Sequence, residues 1–450
     1  MIIKATIVFG IRLTRVSLCL VAVAAALSGG IPAAGQTAAT DSLWKDIDAR
    51  AARIEASAVA WRRDLHQHPE LSNRETRTAA LIADHLRRLG IEVRTGVART
   101  GVVGTLLGGL PGGVVALRAD MDALPVTEEV ELPFASKVRT QFNGQEVGVM
   151  HACGHDLHMA MLMGAAEVLA GIRDRIPGSV KFIFQPAEEG SPAGEDGGAD
   201  VMIREGALDN PKAEAIFGLH VFPFPSGQIA YRAGGLMASS DAFRITVRGR
   251  QSHGALPWRG IDPIVIGSQI VLGLQTITSR QVDLTVSPAI ITVGSIHGGV
   301  RYNIIPDTVE MEGTIRTFDS VMQTEIHQRI KRMVEAIASG SGASAEVSIQ
   351  RQNPVTYNDP QLTRRMSGTL KRVAGGDPVE TVPTTTAEDF SHYQQRIPGL
   401  FFFLGITPRN ADPAAAAPNH SPRFYADESA IVVGIRALSH LAVDYLSGAK

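Results

Sequence analysis

The order of apolar and polar positions divides the chain into stretches with different rhythms. Residues 43–89 carry apolar positions at helical spacing, clearest over 59–65 and 78–89, and predict helices with a break near Pro69. Gly90 then marks a helix stop. Short apolar runs follow at 102–107, 114–117, 180–184, 215–219 and 400–404, each the length of a buried strand, with a helical stretch at 159–172 among them. Such alternation predicts an α/β domain whose helices cover a largely parallel sheet. In sheets of that kind, sites gather beyond the carboxyl ends of the strands. Asp120 and Asp122, Glu188 and Glu189, and His220 all fall there.

The middle of the chain reads differently. A strand at 243–247, a helix at 263–278, strands at 289–296 and 309–315, a helix at 322–337 and a strand at 345–349 give the order β-α-β-β-α-β. That is a ferredoxin-like unit. α/β material resumes after it. The expected organisation is therefore a larger domain in two parts, 36–235 and 353–450, with residues 236–352 inserted between them. No internal repeat is visible, and the Ala/Pro-rich stretch 411–418 reads as a loop.

The first 35 residues stand apart. Lys4, Arg12 and Arg15 are the only charges before Asp41, an apolar run follows at 16–27, and small residues lead to Gly35. Basic, apolar and small in that order predict a secretory signal peptide over 1–35. The apolar run is shorter than the roughly 20 residues a membrane span needs. Leu18 sits before Cys19 where a lipoprotein signal wants a small residue. The expectation is export to the periplasm or the medium, with Cys153 as the one thiol of the mature chain. Charge is nearly balanced, 43 basic against 45 acidic residues, and no basic stripe speaks for nucleic acid.

The densest chemistry is His151-Ala152-Cys153-Gly154-His155-Asp156-Leu157-His158. Thiolate, imidazole and carboxylate are the donor types that zinc prefers, and a glycine between Cys153 and His155 lets both turn toward one point. The competing reading is a buried cysteine near unrelated histidines. Glu188-Glu189-Gly190 closes an apolar run. A hydrolytic metal site needs one carboxylate as ligand and another to take a proton from water, though paired glutamates also make solvated turns. His220 ends an apolar strand, and His420 sits in a loop bounded by Pro418 and Pro422. Taken singly, the first suits a structural histidine and the second a surface one. Asp120 and Asp122 follow another buried strand, as ligands or ligand-orienting groups do. His253 lies just past a strand of the inserted unit. No G-x-S-x-G elbow is present, which disfavours a serine hydrolase.

In combination and in this order, the motifs resemble the aminoacylase and carboxypeptidase family of co-catalytic metal hydrolases. The likeness is to the branch with hippurate hydrolases and indole-acetyl-amino-acid amidohydrolases. It runs from Asp64-Leu65-His66-Gln67-His68-Pro69-Glu70 to the segment around His420, and takes in 298–306, 313–316 and Ala387-Glu388-Asp389-Phe390. The resemblance implies Cys153, His155, Glu189, His220 and His420 as metal ligands. It implies Glu188 as general base and then proton donor, and Asp122 as a group that orients a ligand. It implies that His253 reaches the substrate carbonyl, in the partner subunit's site, and that Asn303 and Arg316 hold the substrate carboxylate. Other branches have a histidine ligand where Asp120 stands, and a bridging aspartate in place of the cysteine.

The resemblance further implies two divalent metal ions, with zinc or manganese first and cobalt or nickel also compatible with the donors. It implies a small-molecule substrate, an N-acyl amino acid or a dipeptide, and a homodimer formed through the inserted unit. The expected reaction is hydrolysis of the amide bond of an N-acyl or N-aroyl amino acid. Two alternatives stand beside it. One is a carboxypeptidase or dipeptidase. The other is an exported binding protein without catalysis, disfavoured because Glu188 and every ligand position are present.

Overall fold

The computed structural model describes residues 33–374 and 378–448, with side chains from residue 41 onward. The signal-peptide expectation falls almost wholly outside the described residues. Both sheets and every candidate site residue belong to the compact unit Trp44–Lys450.

An eight-stranded sheet forms the centre of that unit. Leu110–Asp120 lies between Pro177–Gln185 and Ala215–Pro225, and Gly399–Thr407 continues beyond the latter, all four strands parallel. Antiparallel pairings occur toward the margins, where Gly101–Leu107 meets Pro177–Gln185 and Glu92–Val97. The sheet is thus parallel where it is most buried. Its four central strands are apolar along almost their whole length because helices cover them. His155–Ala170 and Ala430–Leu446 pack together and against the central strands.

The predicted strands all appear, each extended by a few residues. The opening helices are Ala33–Gln67 and Thr76–Arg88, and Gly90 follows the second with φ of +68°. The helix expected over 159–172 starts at His155 instead. Its first turn carries two histidines and an aspartate, which apolar spacing leaves out. A hairpin, Arg139–Phe142 with Gln145–Gly148, is present where none was expected. Its signal is Asn143-Gly144, the pair favoured in a two-residue turn with positive φ at both positions. Their φ values are +50° and +77°.

Between the two parts of this α/β layer, a second sheet runs in the order Ala289–Gly298, Thr308–Thr317, Ser240–Arg248, Ser344–Asn353, antiparallel throughout. Helices Pro263–Arg280 and Ser320–Gly340 cover one face. Phe243, Ile245, Val247, Ile270, Leu274, Met311, Ile326 and Ile330 form its core. Asp262 and Asp319 cap the two helices by accepting hydrogen bonds from their first backbone N–H groups.

Candidate metal centre

The parallel strands deliver their polar residues to one edge. Asp120 stands beside Gln185 in register, and His220 beside Phe403. The turn carrying Cys153 and His155 comes in against the strand Ala215–Pro225. Gly154, at φ +90°, makes that approach possible, since a Cβ there would lie 2.4 Å from a Val221 methyl. His420 arrives from a loop far along the chain with φ of +70°, a strained conformation for a residue with a side chain. Hydrogen bonds to distant backbone fix the loop. The His420 N–H donates to Ala152 O at 2.8 Å, and the Asn419 amide donates to Cys153 O and Val221 O at 3.0 and 3.2 Å.

These elements bring five residues together. Cys153 Sγ lies 3.3 Å from both His220 Nε2 and His420 Nε2. His420 Nε2 is 3.1 Å from Glu189 Oε1, and His155 Nε2 is 3.9 Å from the same oxygen. Potential ligand atoms of Cys153, His155 and His220, and of Cys153, Glu189 and His420, fall within 4.8 Å of one another. Glu188 Oε2 approaches His155 Nε2 to 3.9 Å.

The surroundings orient each donor. His220 gives its Nδ1 proton to Val221 O at 2.8 Å, which leaves Nε2 free toward Cys153. His155 gives its Nδ1 proton to Asp122 O at 2.8 Å. Asp122 accepts from Ser72 Oγ and from the Glu189 backbone N–H, so it ties two ligand-bearing segments together. Such outer contacts are the usual support of a metal site. Asp120 does not face the cluster freely. It accepts hydrogen bonds from His158 Nδ1 at 2.6 Å and from Arg118 at 2.7 Å, while His158 Nε2 accepts from the Val221 N–H. With both nitrogens used, His158 is a structural histidine.

The electrostatics call for a cation. Burial alone would lower the His155 imidazole, but Asp120, Asp122 and Glu189 hold it up to about 10. Burial, then Glu189 and Glu188, drive the Cys153 thiol well above its ordinary range. Burial, then Glu388 and Glu189, do the same to the Glu188 carboxyl. His155 Nε2 is buried with no hydrogen-bond partner among the described residues. An orphaned imidazole nitrogen, a buried thiol and a surplus of carboxylates fit a divalent cation, which deprotonates a coordinating thiol outright.

Glu388 and Asp389 belong to a motif that the sequence marks without giving it a role. They sit behind the centre on the buried Arg118. Its guanidinium donates to Asp389 at 2.8 Å and lies 3.0 Å from Glu388. Gln185 holds both Asp389 oxygens. Glu388 is close enough to Glu188 to share a ligand-sized space with it.

The three residues expected from the inserted unit lie apart from this cluster. His253 is exposed and pairs across a short ribbon with Ile304, next to Asn303. The Arg316 guanidinium turns onto Thr314 Oγ1 and Ile315 O of its own strand. Among the described residues, none of the three shares a hydrogen bond or ion pair with the cluster.

Residues 116–444 match the peptidase family M20/M25/M40. The chain is 44% identical over 395 residues to thermostable carboxypeptidase 1 of Saccharolobus solfataricus, covering 87% of this chain and 96% of that one. It is 40% identical over 380 residues to an N-acetyl-L-cysteine deacetylase of Bacillus subtilis, covering 84% and 86%. To an IAA-amino acid hydrolase of Arabidopsis thaliana it is 38% identical over 394 residues, covering 86% and 85%. Among solved structures, a dinuclear metal-binding peptidase from Bacillus subtilis superimposes with a TM-score of 0.74 at 36% identity, over 88% of this chain and 99% of that one.

Proposed function

The chain belongs to peptidase family M20/M25/M40 and is a metal-dependent hydrolase of C–N bonds, and from that premise we propose that it cleaves the amide bond of N-acyl or N-aroyl amino acids. The products are a carboxylic acid and a free amino acid. The observation that carries this reading is the position of Glu188, a largely covered carboxyl whose Oε2 lies 3.9 Å from His155 Nε2 beside the five-residue donor cluster. A carboxylate placed beside bound ions can take a proton from water and return it to a leaving group.

The centre takes two divalent metal ions. Cys153, His155, Glu189, His220 and His420 would hold them, and zinc or manganese suits the mixture of donors. Bound there, the ions would polarise the amide carbonyl and lower the pKa of a bound water from about 16 toward about 7. Glu188 accepts the proton of the attacking water at its carboxylate and passes it to the leaving nitrogen. Asp122 keeps His155 in the tautomer that offers Nε2. His253 accepts the Ala255 N–H at Nδ1, so its neutral ring carries a proton on Nε2. We assign that N–H to the carbonyl oxygen of a substrate bound by a second subunit, with Asn303 and Arg316 toward the substrate carboxylate. Homodimer formation through the inserted unit is part of the same reading. It is supported by exposed Val265 and Leu272 on one helix, and by exposed Ile290 and Ile296 on the sheet-edge strand Ala289–Gly298. Export by way of residues 1–35 completes it.

The test is hydrolysis by the mature chain from Gln36. The substrates are N-benzoyl and N-acetyl amino acids beside dipeptides, before and after chelation, with zinc, manganese, cobalt or nickel restored. Cleavage of the acyl series that chelator abolishes, metal restores and Glu188→Ala lacks is the expected result. Preference for dipeptides would replace the acyl-amino-acid reading with a dipeptidase. Tight metal binding without any turnover would favour a binding protein.

A further inference from the structure

A cleft of about 720 Å³ opens beside the donor cluster, with Glu189, Gly190 and Ser72 on one wall. That volume lies within the range of small-molecule sites. Its lining also takes in the first strand of the hairpin, Arg139–Phe142, and Asn143 of its turn, none of them a residue of the metal centre. We infer that this cleft receives the acyl half of the substrate and that Phe142 sets its preference for a bulky apolar or aromatic acyl group. The inference rests on the amidohydrolase reading and specifies which half of the substrate lies here.

Three observations carry it. The first is how the cleft is tied to the chemistry. Leu124 and Met150 exchange both backbone hydrogen bonds, at 3.0 and 3.1 Å, and the Ala123 N–H donates to Glu70 O. Leu124 is two residues after Asp122, and Met150 is three before Cys153. The walls are therefore fixed in register with the ligand-bearing segments. Gly148 seals the base of the hairpin, since a Cβ there would press on Thr127 at 2.6–2.7 Å.

The second is the character of the lining. Leu71, Leu124, Pro125, Val138, Phe142 and Val149 supply its apolar surface. The Asn143-Gly144 turn presents Phe142 at the end of its strand, half-buried and bordering the open space of the cleft.

The third is the disposition of charge. Arg74 donates to both Glu195 oxygens at 2.6 and 3.0 Å, and Arg139 donates to Glu146 at 2.6 Å. Glu70 accepts the backbone N–H groups of Arg77 and Thr78, at the start of a helix. Among the described residues, every charged wall residue is thus already matched, Glu189 by His420, and the lining offers no unpaired cation to an amino-acid carboxylate. The cleft suits the uncharged half of the substrate. The amino-acid half then lies on the other side of the scissile bond.

The experiment compares metal-loaded wild type with Phe142→Ala and Ala193→Phe. The second variant fills the cleft from an exposed loop position, so it remains informative if Phe142→Ala fails to fold. Two readouts are taken. One is kcat/KM for N-benzoyl against N-acetyl derivatives of the same amino acid. The other is binding of N-methylbenzamide against N-methylacetamide by ligand-observed NMR, which needs no turnover. The expected result is a fall of roughly 10- to 100-fold in the benzoyl-to-acetyl ratio in both variants, with loss of N-methylbenzamide binding. An unchanged ratio and unchanged binding in a folded variant overturn the inference. If wild type hydrolyses neither acyl series, the proposed function falls, and the benzamide binding alone decides whether the cleft holds an aromatic group.

Discussion

The edge of the eight-stranded sheet and the core of the four-stranded one treat burial in opposite ways. At the first, Asp120, Asp122, His155, Glu388 and Asp389 are all buried, and Asp120, Glu388 and Asp389 share one fixed cation, Arg118. In the second, the interior is aliphatic and aromatic. Its buried acid among the described residues, Asp241, is matched by the Gln323 amide and by His327 Nε2 at 2.8 Å. Unpaired buried charge costs several kcal/mol per group, so a fold keeps it only where a bound ion or a reaction needs it. The core of the inserted unit has no such demand and packs apolar side chains against one another.

The largest expected effect tests the charged edge. Glu188→Gln should lower kcat by about a thousandfold, within the span of general acid–base catalysis, while metal content by elemental analysis stays that of wild type. Retained turnover would move the base elsewhere. The next tests the apolar core. Ile330→Ala, buried between helix and sheet, should cost about 2–5 kcal/mol in denaturant unfolding and leave metal stoichiometry alone. Loss of metal in that variant would mean that the two regions are not independent.

A pH effect of intermediate size sharpens the contrast. His85 joins the helix Thr76–Arg88 to the carbonyl of Met163, away from the ligands. Burial holds its imidazole down to about 4, against about 6.5 in an unfolded chain. Between those values the unfolded chain binds a proton that the folded chain refuses. Stability should therefore be full above about pH 6.5 and fall by about 3 kcal/mol as pH drops to about 4. His85→Gln should flatten that slope in thermal melts. The smallest effect lies on the solvent face of the inserted sheet, where Arg244 pairs with Glu312 across two strands with both side chains more than half exposed. Arg244→Ala should change stability by less than about 1 kcal/mol, as measured by the same melts.

The apolar periodicity of single segments makes the strands of both sheets and the β-α-β-β-α-β order readable, because burial of an element leaves its mark along that element. The start of the helix at His155 escapes such reading for the complementary reason. Its first turn is buried, yet it is filled with His155, Asp156 and His158, whose partners lie elsewhere in the chain. The hairpin at 139–148 escapes it although Asn143-Gly144 announces the turn, since its strands are short and polar.

Residue types and their spacing were enough to show which chemistry is available. They set a thiol and an imidazole around Gly154, two acids after a strand, and histidines at 220 and 420. The assembled fold was needed to show that His220 and His420 meet Cys153 at 3.3 Å and that Asp120 consumes His158. It was needed too for Arg118 gathering Glu388 and Asp389, and for the matched-charge cleft beside Glu189. Those facts depend on strand order and on backbone hydrogen bonds between distant segments. Neither leaves a periodic trace in the chain, because a residue's spacing records only the face it shares with its neighbours and not what that face will meet.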